Sequence, residues 1–190
     1  MKSFRKITVL FFAIFLFSCE SESYTPKPKG YFRIDLPEKN YESATLDCPF
    51  TFEKPTYSVI KMVEQADKPC WFNLDFNTLN ASLYFSYNKI DNNIDKYLED
   101  SRTLAFKHSV KATDIEQIVI SYPQKKVFGL IYDIKGNAAS EFQFHLTDSL
   151  NHFLVGSLYF NTPPNQDSIQ PVLDFVKQDI EHLFSTFEWK

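Results

Sequence analysis

The spacing of apolar residues changes period three times along this chain of 190 residues, and that succession restricts the fold more than any single motif does. At first the period is two. Residues 70–77 put Phe72, Leu74 and Phe76 on one face, and residues 82–89 do the same with Leu83, Phe85 and Tyr87. Successive side chains of an extended strand point to opposite sides, so this alternation reads as half-buried strands. Residues 50–52 and 57–63 are shorter candidates, and residues 32–36 set Phe32, Ile34 and Leu36 against Arg33 and Asp35. From 92 to about 109 the period becomes helical, with Ile94, Tyr97, Leu98, Ser101, Leu104, Ala105 and His108 on one face and Asp91 or Asn92 placed to cap it.

The chain then returns to alternation in four stretches, 114–122, 125–135, 140–147 and 152–160, the middle pair turning at Gly136-Asn137. "NTPPNQDS" ends the run. Asp167 or Ser168 is placed to cap a last helix, Pro171 suits its first turn, and Leu173, Val176, Ile180, Leu183, Phe184 and Phe187 form its stripe. Strands with short connections pair antiparallel, which predicts an α+β domain: an antiparallel sheet with two amphipathic helices packed on it, both on one face. This element order, with "FTFEKPTYSVI" early and an amphipathic helix last, resembles the Mog1/PsbP-like fold.

The N-terminus is addressing information. Lys2, Arg5 and Lys6 precede an apolar run over 7–17 that is too short to span a bilayer, and Ser18-Cys19 follows at once. A small residue before cysteine marks a lipoprotein signal, cut ahead of Cys19, whose thiol would carry a diacylglycerol and whose new amino group an acyl chain such as palmitate. The alternative is an ordinary secretory signal, but no A-x-A-like site follows. Two or three acyl chains, at roughly 0.8 kcal/mol per buried methylene, anchor a protein stably. The expected organisation is a signal peptide over 1–18, a lipidated Cys19 with a Pro/Lys tether over 19–30, and a single α+β domain over 31–190. As an extended polyproline segment, the eleven residues "ESESYTPKPKG" reach roughly 34 Å.

Removing 18 of 190 residues leaves 172, enough for one domain with a substantial core. The leader takes three of twenty basic residues and none of twenty-four acidic ones, leaving 17 against 24 and a net charge of −7. A chain of that sign is not a nucleic-acid binder. Twenty Phe and ten Tyr against four Gly describe a folded, aromatic-rich body.

Cys48 and Cys70 remain in the mature chain, and outside the cytoplasm such a pair reads as a disulfide in preference to a metal site, with two buried thiols as the alternative. His145 and His152 flank a tight turn and could face each other across a hairpin, but two ligands do not make a metal site. His108 and His182 fall on helix margins. Glu99-Asp100 and Asp179 with Glu181 read as solvated charges. The nucleophile elbow, the zincin motif, the phosphate-cradling glycine loop and the EF-hand loop are absent from the sequence, so neither an enzyme nor a cofactor is expected.

"PKPKGYFRIDLPEKNY" carries the most specific signal. Together with the Cys19 lipobox and the "CPF" and "CWFNL" contexts of Cys48 and Cys70, it resembles the gliding-motility lipoprotein GldD family of Bacteroidetes, in which a Pro/Lys tether enters a G-Y-F-R-I-x-L-P-x-K-x-Y segment, here residues 30–41. The resemblance implies a non-catalytic cell-envelope lipoprotein, lipid-anchored at the outer membrane facing the periplasm. Its implied partners are the proteins of the gliding machinery and of the associated type IX secretion system. Tyr31, Phe32, Arg33 and Asp35 are then a candidate docking surface, since aromatic residues and Arg dominate interface anchors. The competing reading has Phe32, Ile34 and Leu36 pinning a first strand to the core. A second function class is a lipid-anchored small-molecule or glycan-binding protein, with Trp71, Tyr84, Tyr87, Tyr122 and Tyr159 as candidate rings. A hydrolase would need His145 or His152 against a carboxylate and a hydroxyl.

Overall fold

Nearly every alternating segment finds a partner strand, because a half-buried extended chain must satisfy its N–H and C=O groups laterally. The computed structural model describes residues 33–64 and 68–190. Its elements are β1 Tyr41–Ser43, β2 Phe50–Thr51, β3 Glu53–Pro55, β4 Val59–Met62, β5 Phe72–Phe76, β6 Ala81–Lys89, α1 Ile94–Phe106, β7 Ala112–Tyr122, β8 Val127–Gly136, β9 Phe142–Thr147, β10 His152–Phe160, α2 Gln166–Thr186 and β11 Glu188–Trp189. Seven strands form one sheet in the order β4-β5-β6-β10-β9-β8-β7, and every neighbouring pair is antiparallel. Helix α1 carries the chain from β6 to the far edge, and the meander β7 to β10 returns it to β6. Residues 34–190 form one compact unit.

The two helices cover opposite faces of the sheet, which corrects the expectation of one shared face. Parity decides this. Phe142, Phe144 and Leu146 of β9 pack with Leu173, Val176, Ile180, Leu183 and Phe184 of α2. The intervening His145 reaches Ser101 of α1, and Tyr132 and Ile134 of β8 pack with Ala105 of α1. The α2 side holds the main core. Phe50, Phe52, Phe72, Phe76, Phe144 and Phe187 are all at most 1% exposed there, each contributing roughly 2 kcal/mol by burial. The α1 side is thinner, and of α1 only Ser101 and Ala105 are buried.

Three local expectations are revised. Residues 33–40 form no strand, and Ile34 and Leu36 are 37% and 40% exposed; alternation there has no neighbour to pair with, because the sheet ends at β4 and β7. Phe32 lies outside the described residues. Neither Asp91 nor Asn92 caps α1; Asn92 turns in the left-handed region at φ 52° and Asn93 is the cap position. Helix α2 begins at Gln166, so Asp167 and Ser168 lie inside it and Pro171 falls past the first turn. Its end is tied to the β8–β9 turn: Gln166 N–H donates to Asn137 Oδ1 at 3.0 Å, and Gly136 N–H donates to Gln166 Oε1 at 2.6 Å. Gly136 sits there at φ +100°, a conformation that suits glycine.

Candidate functional site

Where the chain enters the domain, three donors close on one carboxylate. Asp179 lies on α2 beside the apolar stripe, and its side chain is 1% exposed. Lys39 Nζ donates to Asp179 Oδ1 at 2.6 Å and to the Phe175 carbonyl at 2.8 Å, with its ammonium 3.7 Å above the Phe175 ring. Tyr41 OH donates to the same Oδ1 at 2.9 Å, and Tyr57 OH donates to Oδ2. Burial, then the adjacent carboxylate, pushes the Tyr41 phenol up to about 12 and the Tyr57 phenol further in the same direction. Both therefore stay protonated as donors. Removing a carboxylate from water costs several kcal/mol unless donors replace the solvent, and here both oxygens have them. The Tyr41 ring stacks on His182 at 3.7 Å, and His182 Nε2 lies 2.7 Å from Glu53 Oε2. This arrangement fastens residues 39–57 to the last helix; its polar groups are committed to one another.

Asp179 was expected to be a solvated charge, and the structure overturns that. The signal was present: Asp179 stands three residues after Val176 and one before Ile180, inside the buried stripe. What was absent was its partner, since Lys39 and Tyr41 are remote in sequence.

The histidines separate by strand parity. His145 faces Val155 across β9–β10 while Phe153 pairs with Thr147, so His145 points to the α1 side. His152 stacks on Trp189 at 5.1 Å, and Tyr87 OH lies 2.8 Å from its Nδ1, with Tyr87 packed against the main core. The two rings thus lie on opposite faces and cannot share a metal. Ser101 Oγ lies 3.1 Å from His145 Nδ1, beside Tyr132 and the stacked ring of Phe153. Burial holds the His145 pKa down to about 4. A groove of about 320 Å³ beside it is lined by Asp95, Glu99, Arg102, Gln117 and Tyr132 among others. The hydroxyl and imidazole are together, but Ser101 is 5% exposed and no described carboxylate is hydrogen-bonded to the ring. His108 accepts from Gln143 Nε2 at 3.0 Å, so His108 and His182 are both satisfied side chains.

A second groove opens on the α1 side of the sheet, beside Leu104 of α1. It holds about 330 Å³ and is lined by the apolar side chains of Val63, Leu104 and Val155 as well as by Trp71, Asn73, Tyr84, Ser86, Ser157 and Tyr159. Tyr84 is 43% exposed and meets Tyr159 edge to face at 5.5 Å. Trp71 Nε1 donates to the Tyr87 carbonyl at 2.9 Å, which leaves the indole face as its contribution. Of the five candidate rings, Tyr87 and Tyr122 pack against the main core instead.

Cys48 and Cys70 are joined, with Cα atoms 5.8 Å apart. In the candidate docking surface Arg33 and Asp35 are exposed; Tyr31 and Phe32 lie outside the described residues, as does Cys19 with the whole signal and tether. Among the described residues no helix is long and apolar enough to cross a membrane.

Comparison with known proteins adds two findings. A family model described as "Gliding motility lipoprotein GldD" matches residues 21–189. Among solved structures, the chain is similar to the solution structure of cyanobacterial PsbP (CyanoP) from Synechocystis sp. PCC 6803, with 11% identity and a TM-score of 0.51 over 82% of this chain and 95% of that one. At that identity the likeness is one of fold, the Mog1/PsbP-like fold. No curated protein matches.

Proposed function

The chain belongs to the gliding motility lipoprotein GldD family, and from that premise we propose that it is a non-catalytic accessory component of the gliding machinery and of the type IX secretion system associated with it. It is anchored through acylated Cys19 at the outer membrane, facing the periplasm, and it acts by holding its domain against neighbouring envelope proteins. The observation that carries this reading is the clamp. Lys39 and Tyr41 are the last two specified residues of the tether motif, and both close on buried Asp179. A tether held at a membrane would deliver its pull to α2 and the core behind it, which suits a load-bearing anchor. The non-catalytic character is supported by the burial of Ser101 beside His145 and by the mutual saturation of the clamp groups. Tyr31, Phe32, Arg33 and Asp35, ahead of the clamp in sequence, form part of the docking surface.

The test is Cys19→Ser expressed from the native locus. The product is expected to leave the membrane fraction, keep its melting temperature and abolish colony spreading. A soluble Cys19→Ser protein that restored full spreading would refute the anchored mechanism. Arg33→Ala tests docking separately: spreading and secretion should fall with melting temperature unchanged, and lost stability with normal function would reject the surface.

A further inference from the structure

We propose that the groove bounded by Trp71, Tyr84 and Tyr159 is a binding site for a neutral carbohydrate. The argument starts from what its walls leave unsatisfied. Asn73, Ser86 and Ser157 line it, and none has a side-chain hydrogen-bond partner among the described residues. Ser157 is 6% exposed and lies opposite Tyr84 across β6–β10, so what remains open of its hydroxyl faces the groove. Val63, Leu104 and Val155 add apolar wall, but an occupant with no polar edge would strand these three groups, at about 1–3 kcal/mol for each one left unpaired. A charged occupant fits no better, because among the described residues lining the groove none carries a carboxylate, ammonium or guanidinium and a buried charge requires a partner. What fits both walls is a molecule with an apolar face to lie on the rings and neutral hydroxyls along its edge, which is a pyranose. The rings are placed for this: Tyr84 projects with 43% of its surface exposed, braced edge to face by Tyr159 at 5.5 Å. The Trp71 ring is held by its own Nε1 bond and by the Lys68 ammonium 4.9 Å over it, Lys68 itself not being one of the residues that line the groove. Rings fixed before binding lose little conformational freedom when a ligand arrives. The site is independent of the clamp, which lies on α2 across the sheet.

The experiment titrates ¹⁵N-labelled lipoprotein in detergent micelles with cellotetraose, mannotetraose and chitotetraose, following the Trp71 indole and Asn73 amide signals. At least one tetrasaccharide is expected to move both signals saturably. Tyr84→Ala should abolish the shifts, and Ser157→Ala should weaken binding by about three- to tenfold, as loss of one hydrogen bond implies. Both variants should keep the wild-type melting temperature within a few degrees. Absence of saturable shifts with all three sugars up to the solubility limit overturns the proposal. So does binding that Tyr84→Ala leaves intact in a folded variant, because the sugar then sits elsewhere.

Discussion

Asp179 and His145 are the two residues whose surroundings set the sharpest expectations. Asp179→Ala leaves the Lys39 ammonium and two raised-pKa phenols without their acceptor, and breaking such a buried pair from one side costs about 3–5 kcal/mol. Lys39→Met should cost clearly less, because Lys39 is 25% exposed at its side chain and both tyrosines still satisfy the carboxylate. Urea unfolding of the two variants gives the ranking; equal losses would mean that the carboxylate is not the hub. His145 concerns pH. Its folded pKa is about 4 against an ordinary 6.5, so between those values the unfolded chain binds a proton that the folded chain refuses. The contribution is complete above pH 6.5 and drains away as pH falls toward 4, by an amount on the order of 3 kcal/mol. His145→Gln keeps a hydrogen-bonding partner for Ser101 and leaves Asp95, Glu99 and Arg102 in place, so its stability should lose that slope. A variant with the wild-type slope would assign the acid sensitivity to another group.

At the scale of elements, the strands were legible because alternation states which residues face which side, and the meander β7 to β10 follows from short connections. Residues 33–36 show the limit. They alternate as cleanly as β5, yet a strand needs a neighbour, and pairing is a property of two segments. Likewise parity told that His145 and Phe144 face apart, but which helix lies over each depended on α1 crossing the sheet to reach β7. The hub at Asp179 was half legible, as a carboxylate inside an apolar stripe, while its donors from residues 39, 41 and 57 were not. Close approach between elements is also invisible to periodicity. Gly156 of β10 has room for no side chain: an added Cβ would stand 2.2 Å from Phe144 Cζ. The Phe144 ring is fully buried and held edge to face by Phe184 at 4.7 Å, so it has nowhere to go. Gly156→Ala is therefore expected to destabilise by about 1–3 kcal/mol, the usual cost of overpacking. Adding Phe144→Leu should recover part of that loss in thermal melts, and additive losses would place the strain elsewhere.

At the scale of the described molecule, the C-terminal strand is tied to β2 beside the disulfide. Strand β11 pairs with β2, placing Trp189 opposite Phe50, and Lys190 N–H donates to the Pro49 carbonyl at 2.9 Å. Cys48 stands just ahead of β2 and is bonded to Cys70, just ahead of β5. The disulfide thus joins the small β2–β11 pair to the large sheet, while the clamp joins β1 and its flanks to α2. Under the proposed anchoring, a pull on the tether would meet the clamp at Lys39 and Tyr41 first and the disulfide at Cys48 next. Closing a loop of this size contributes about 3 kcal/mol on the chain-entropy estimate, but the loss on removing it should not be spread evenly. Cys48→Ser with Cys70→Ser should accelerate amide hydrogen exchange in β2 and β11 while β8 and β9, paired over many residues away from the bridge, stay protected in mild conditions. Exchange that rises equally in all four strands would show the ends to be folded cooperatively with the sheet. The disulfide would then act on global stability instead of securing the entrance.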